Sequence, residues 1–130
     1  MKVNFPAILL TAAVLVTVAG CSRLYRFEGA IKDAEGNPIS GAMVFLHPSD
    51  WPDKEIDHPT SEPVPGSENV SDVDGKFKAF WGNAVGVKSF RMVVVKIGYE
   101  DAEQTVAADE KGINVVLKPE SETTKSTNAG

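Results

Sequence analysis

Cysteine is almost missing from this chain, since Cys21 is the single cysteine among 130 residues. One thiol excludes an intramolecular disulfide and any zinc site built from several thiolates. Basic residues are also in short supply, because 13 lysines and arginines stand against 18 aspartates and glutamates, for a net charge of −5. A nucleic-acid-binding surface needs an excess of positive charge, so we expect no nucleic-acid partner.

The chain also lacks an apolar run long enough to cross a bilayer as a helix. The run at residues 7–19 has 13 residues and contains two threonines, whereas a spanning helix needs about 20 apolar residues. It follows a positive residue, Lys2, and ends in small residues, which is typical of the apolar region of a secretory signal. The rest of the chain, at this length, suits a single domain.

The end of this apolar run has a distinctive pattern, Val-Ala-Gly-Cys at residues 18–21. It resembles a bacterial lipobox, in which a branched apolar residue and two small residues precede the cysteine that receives acyl chains such as palmitate. The resemblance implies that residues 1–20 are a lipoprotein signal peptide and that Cys21 carries a durable membrane anchor. Ser22 follows the cysteine in place of an aspartate, which favours the outer membrane of the cell envelope. The pattern leaves open which face of that membrane carries the protein.

The remaining sequence predicts one all-β domain. Short runs of alternating apolar and polar residues, bounded by Gly, Pro, Asn and Asp, recur over residues 25–119 without sustained helical periodicity. We expect six to seven strands in a β-sandwich, with residues 21–24 as a short tether and residues 120–130 as a disordered polar tail. The valine-rich run at 89–97 is apolar on both faces and therefore predicts a central strand that is covered twice.

Four segments of this domain carry recognisable patterns. They are the opening run at 29–46, the Asp-Val-Asp-Gly-Lys-Phe turn at 72–77, the Gly-Tyr pair at 98–99 and the closing Val-Val-Leu-Lys-Pro at 115–119. Together they resemble carboxypeptidase regulatory-like domains, which share the transthyretin-like (prealbumin-like) sandwich. The resemblance implies a seven-stranded Greek-key fold. It implies no activity, because members occur as accessory domains of enzymes, receptors and surface proteins.

Candidate catalytic patterns are weak. Both histidines, His47 and His58, directly precede a proline, and no Ser-His-Asp arrangement is indicated. The chain ends in Ser-Thr-Asn-Ala-Gly, not in the Tyr-Arg-Gly-Ser of transthyretin-like hydroxyisourate hydrolases. Intradiol dioxygenases, on a related sandwich, hold iron with two Tyr and two His. Tyr25, Tyr99 and the histidines match that count but not its spacing, so we expect no enzyme and no cofactor.

A covalent crosslink is a further alternative. Collagen-adhesin B-type domains share the opening pattern and join a first-strand lysine to a last-strand asparagine beside an acid. Lys32 and Asn114 stand in comparable places in this chain. The acid expected before the Gly-Tyr pair is missing, because residues 93–97 read Val-Val-Val-Lys-Ile. Without a group to shuttle the proton, we expect no crosslink.

Residues 48–69 are the most individual part of the sequence. These 22 residues hold five prolines and six acids against one lysine, and loops of this length are usually functional or disordered. Trp51 either anchors a partner or covers an open sheet edge. Met43, Phe45 and Phe80 fall opposite the inward-facing residues, so they are covered by this loop or form an exposed apolar patch of an interface.

The sequence therefore predicts a non-catalytic, membrane-anchored envelope lipoprotein that acts as a protein-binding or assembly module through residues 48–69. The alternative is a small-ligand-binding lipoprotein that uses the same loop. A glycan would stack on Trp51, whereas a metal ion would use His47 and His58, because zinc and copper accept imidazole together with carboxylate ligands.

Overall fold

The computed structural model describes residues 23–120 of the chain. Six strands run through them: β1 Arg23–Asp33, β2 Met43–Pro48, β3 Lys76–Ala84, β4 Ser89–Val95, β5 Ala102–Ala107 and β6 Ile113–Leu117. They form two three-stranded sheets, in the orders β3-β1-β6 and β2-β4-β5, so the predicted all-β sandwich is confirmed. Within this range, no helix is long and apolar enough to span a membrane. The predicted signal peptide, Cys21 and residues 121–130 of the predicted tail lie outside the described residues.

Two boundaries differ from those predicted. Arg23 and Leu24 belong to β1 and not to a tether, because the ladder with β3 already begins at the pair Arg23 and Ala84. Pro48 belongs to β2 and not to the loop, because it lies opposite Phe90 in the ladder with β4. The prediction of seven strands differs by one from the six described, and beside them Val70 makes an isolated antiparallel bridge with Met43.

The first sheet is built around β1. This strand pairs antiparallel with β3 and parallel with β6. Its inner face follows the predicted alternation, since Tyr25, Phe27 and Ile31 are fully buried while their neighbours along the strand are more exposed. The core between the two sheets is apolar, as expected for a sandwich. Its other members include Val44, Leu46, Phe77, Ala79, Phe90, Met92, Val94, Val106, Ile113, Val115 and Leu117.

The second sheet has β4 at its centre, as the valine-rich run predicts. Phe90, Met92 and Val94 face the core, while Val93 and Val95 point to the outer face and are nevertheless only 4% and 3% exposed. A strand that carries apolar residues on both faces needs other parts of the chain to cover both faces. The outer face of this sheet therefore has a cover, and the chain between β2 and β3 provides it.

The directions of β2 and β3 explain why that connection is long. Pro48 ends β2 beside Phe90, close to the pair Arg23 and Ala84 where β1 begins and β3 ends. Lys76 begins β3 at the other end of the sandwich, opposite Ala30. Since both strands run the same way, the chain must return along the length of the sandwich. We call residues 49–68 the crossover segment.

Both predicted turns form at the end of the sandwich away from the start of β1. The Asp33 carboxylate accepts hydrogen bonds from the backbone N–H groups of Glu35 and Asn37 at 3.0 and 2.8 Å, which lowers the pKa of Asp33, chiefly through Asn37. The Asp72 carboxylate likewise accepts from the N–H groups of Asp74 and Lys76. Such carboxylate-to-backbone bonds are the usual chemistry of Asp-initiated turns.

Gly36 and Gly75 offer a matched test of this packing, because both have positive φ angles of 86° and 76°. A Cβ at Gly36 would meet nothing within 4 Å, whereas one at Gly75 would lie 2.6 Å from the Ile31 carbonyl oxygen. We expect Gly36→Ala to lower the free energy of unfolding by about 1–2 kcal/mol, the cost of a left-handed residue. Gly75→Ala should lose roughly a further 1–3 kcal/mol from overpacking. Urea unfolding of the two variants measures the difference, and equal losses would contradict the close approach of the turn to β1.

Candidate functional site

The crossover segment lies on the outer face of the sheet β2-β4-β5, where charged contacts hold it. Asp53 pairs with Arg91 of β4 at 3.3 Å, and Glu62 pairs with Lys96, just after β4, at 2.9 Å. His58 pairs with Asp101, just before β5, at 2.7 Å. In the first two pairs an acid of the segment meets a cation of the sandwich, and in the third the segment supplies the histidine. Ion pairs of this exposure contribute little energy one by one, so they position the segment more than they stabilise the fold.

Trp51 lies where the crossover segment leaves β2. Its indole ring makes edge-to-face contacts with Trp81 and His47, with ring centroids 5.7 and 6.2 Å apart. Trp81 continues the contact to the core residue Phe90 at 6.1 Å. The residue Trp51 is 44% exposed, so one part of it packs against the sandwich while the rest faces outward. This geometry does not choose between the two roles predicted for Trp51, edge cover and partner anchor.

A cleft of about 350 Å³ separates the crossover segment from the edges of β2 and β3. Residues 54–57 of the segment form one wall. Phe45 of β2 and Phe80 of β3, both half-buried, line the cleft together with Val93 of β4. The cleft also has charged lining residues, among them Lys54, Asp57 and Arg91, and recognition sites combine apolar surface with polar groups that orient a ligand.

The four residues predicted for partner binding are therefore only partly brought together. Phe45 and Phe80 line the same cleft. Trp51 lies next to it, on the cleft residues His47 and Trp81. Met43 is half-buried at the start of β2, where it pairs with Val95 and bridges to Val70, and it does not line this cleft.

The two histidines predicted as metal ligands occupy different places. His47, on the edge strand β2, donates a hydrogen bond through Nε2 to the Pro52 carbonyl oxygen. His58 is engaged by Asp101 at the entrance to β5, on the other side of β4. The structure does not bring the two imidazoles to one point. Over residues 23–120, no group of three or more His, Cys, Asp and Glu side chains is placed to hold a metal ion.

Trp81 is a site residue that our sequence reasoning missed. It lines the cleft and carries the contact with Trp51. Its indole N–H is buried and has no hydrogen-bond acceptor among the described residues, an uncommon state for a buried donor. The sequence could have predicted its position, because Trp81 continues the alternation of the inward residues Phe77 and Ala79. The next large aromatic on the same face, beyond these two core positions, is expected to extend the core towards the end of the sandwich.

Asn69 is the second residue that we missed, and it closes the cleft at the far side from Trp51. Its backbone carbonyl accepts from the Val44 N–H at 2.8 Å, and its backbone N–H donates to the Lys78 carbonyl at 3.2 Å. Its side-chain Oδ1 accepts from the Phe80 N–H at 3.1 Å. Asn69 therefore joins β2 of one sheet to β3 of the other. Its φ of 59° is a left-handed conformation that asparagine tolerates better than most residues.

The residues of the catalytic alternative lie apart, whereas those of the crosslinking alternative lie diagonally on neighbouring strands at the surface. Tyr25 is fully buried, and its hydroxyl accepts a hydrogen bond from the Val87 N–H at 3.1 Å. Tyr99 lies at the other end of the sandwich, where it bridges to Pro119. Lys32 and Asn114 are both exposed on neighbouring strands, where Lys32 lies opposite Val116. None of these arrangements forms the sites that the alternatives require.

No protein-family model matches the sequence, and a search of curated proteins finds no match. Solved structures do resemble the fold. The shaft pilin SpaA from Lactobacillus rhamnosus GG superposes with a TM-score of 0.50 at 21% identity, over 76% of this chain and 47% of the pilin chain. Catechol 1,2-dioxygenase from Acinetobacter radioresistens gives a TM-score of 0.50 at 17% identity, over 80% of this chain and 54% of the enzyme.

The chain thus spans about half the length of these similar structures. At such identities the likeness establishes the fold, a two-sheet β-sandwich, and not the activity. The resemblance to carboxypeptidase regulatory-like domains stays a prediction from the sequence.

The pair formed by His58 and Asp101 predicts a titration signature. The hydrogen bond and the charge of Asp101 raise the pKa of His58 above its ordinary value of 6.5. Because the pKa is raised in the folded state, the pair stabilises the fold below about pH 6.5, and this contribution is lost as the pH rises through the folded-state pKa. We expect NMR titration to show a higher His58 pKa in the wild type than in Asp101→Asn. Identical values would mean that the crossover segment is not held at this point.

Proposed function

We propose that this chain is a lipid-anchored lipoprotein of the bacterial cell envelope, in the outer membrane, and that it serves there as a non-catalytic protein-binding or assembly module. One observation carries the proposal. The lipobox-like pattern ends at Cys21, two residues before the first strand of a complete sandwich. Acyl chains on Cys21 would attach the domain directly to the membrane and would leave no free thiol.

The binding role rests on the crossover segment and its cleft. Binding hot spots are enriched in tryptophan and other large side chains, placed where a partner can exclude water. Trp51 is 44% exposed and backed by Trp81, so a partner would meet an indole that is already oriented. Phe45 and Phe80 extend this surface into the cleft, and Met43 continues it along β2. A similar sandwich occurs both in a shaft pilin and in a dioxygenase, so the fold permits a structural or assembly role without selecting it.

A glycan-binding role is the second candidate, and the exposed face of Trp51 beside the cleft favours it, because sugar rings stack on indoles. The metal-binding form of this alternative has less support, since His47 and His58 engage separate partners. Trp51→Ala should abolish glycan binding, whereas a metal binder should lose its affinity on His47→Ala or His58→Ala.

Lipidation of Cys21 is the first point to test. We expect Cys21→Ser to move the protein from the membrane fraction to the soluble fraction of the envelope and to abolish incorporation of labelled palmitate, because the acyl chains are the anchor. Cell fractionation and metabolic labelling measure both effects. Ser22→Ala, which leaves the cysteine in place, is the control. A Cys21→Ser protein that stays in the membrane and keeps its label would exclude the proposed anchor.

The partner is tested by photo-crosslinking in intact cells. A photoreactive amino acid in place of Trp51 should give a discrete protein adduct, since the exposed part of this side chain faces the proposed partner. The matched control carries the same group at Val73, which is 75% exposed at the other end of the sandwich. The adduct should weaken when Phe45 and Phe80 are both changed to Ala. A correctly anchored protein without an adduct specific to position 51 would speak against partner binding.

A further inference from the structure

The distance between the proposed anchor and the sandwich is limited by chain length alone. Ser22 is the single residue between Cys21 and Arg23, where β1 begins. Two residues reach at most about 7 Å, even when fully extended. The polar headgroup layer of one leaflet is itself roughly 5–7 Å thick. A sandwich attached in this way cannot clear the headgroup layer, so the side chains around the start of β1 must share it.

The side chains at that end are suited to such a layer. Leu24, the second residue of β1, is 47% exposed and lies near Gly82 of β3. Val85, which directly follows β3, is 66% exposed. The opposite end of the sandwich exposes apolar residues as well, including Val73 and Ile97. Exposure alone therefore does not choose between the two ends, whereas the position of the anchor does.

The charges at the two ends also differ. Arg23 is paired with Asp109, which additionally accepts a hydrogen bond from the Arg26 N–H at 2.9 Å. Arg26 and Lys88 are exposed, and neither forms an ion pair within residues 23–120. The far end instead carries the acidic turns with Asp33, Glu35, Asp72 and Asp74. The first end also holds Asp109 and Glu110, so it is mixed in charge, and an anionic bilayer favours its unpaired cations over the acidic turns of the far end.

We propose that the end of the sandwich formed by Leu24, Val85, Arg26 and Lys88 is a membrane-contact surface that rests in the lipid headgroup layer, so that the acidic turns point away from the bilayer. This inference rests on the proposed lipid anchor. It deepens the proposed function, because Trp51 lies near the same end, where β2 finishes and β4 begins. A partner that docks on Trp51 is then one that reaches the membrane surface.

Fluorescence quenching in vesicles tests this orientation. Lipidation consumes the thiol of Cys21, the only cysteine in the chain, so Val85→Cys in the lipidated protein offers one free thiol for an environment-sensitive fluorophore. Val73→Cys is the matched control, since both valines are strongly exposed and lie at opposite ends. The labelled lipoproteins are placed in phosphatidylethanolamine and phosphatidylglycerol vesicles that contain nitroxide-labelled lipids. We expect quenching several-fold greater at position 85 than at position 73.

The outcomes separate the two proposals. If both proteins sediment with the vesicles and are quenched equally, the anchor holds and the membrane-contact surface is wrong. If neither sediments, the anchor itself fails and this inference falls with it. A flexible Gly/Ser linker of about 20 residues between Ser22 and Arg23, which spans roughly 25 Å, should preserve sedimentation and lower the quenching at position 85. Unchanged quenching with the linker would overturn the claim that tether length enforces the contact.

Discussion

The directions of β2 and β3 are the constraint on which the rest of this structure depends. Both strands run towards the end of the sandwich where β1 begins, in different sheets, so the chain must travel back between them. Five or six extended residues would cover the length of β2, and the crossover segment is several times longer. The surplus lies over the outer face of the second sheet, where Val93 and Val95 are buried, and it leaves the cleft beneath it.

The crossover segment and the sandwich beneath it are held by different kinds of interaction. The core consists of apolar side chains and a ring cluster in which Phe90 contacts Tyr25, Phe27 and Trp81. The segment is held mainly by solvent-facing ion pairs and by Trp51, and such pairs weaken as salt screens them. The floor of the cleft is therefore formed by strands of the sandwich, while its wall at residues 54–57 belongs to a segment without a buried residue, as is common for elements that meet ligands.

Local patterns in the sequence were sufficient to predict the strands and turns. They did not predict which residues, distant in the chain, contact one another. Strict alternation predicted the buried face of β1, the run of valines predicted a central strand, and Asp and Gly predicted both turns, because each depends on a few adjacent residues. The role of Asn69 depends on four hydrogen bonds that its backbone and side chain form with Val44, Lys78 and Phe80. These three residues lie elsewhere in the chain. Likewise, nothing within residues 48–69 indicates that Asp53 meets Arg91 or that His58 meets Asp101.

Trp51 links the two ideas about function, because the fold places it where the crossover segment starts and near the end from which the proposed anchor extends. The sandwich itself is shared with a shaft pilin and a dioxygenase, so the fold does not choose between a structural and a catalytic role. The crossover segment and its cleft are where specificity can reside. A tether two residues long would hold the Trp51 side of that cleft near the bilayer and present its Asn69 side further out. Because the partner would meet both at once, recognition would be coupled to the membrane surface.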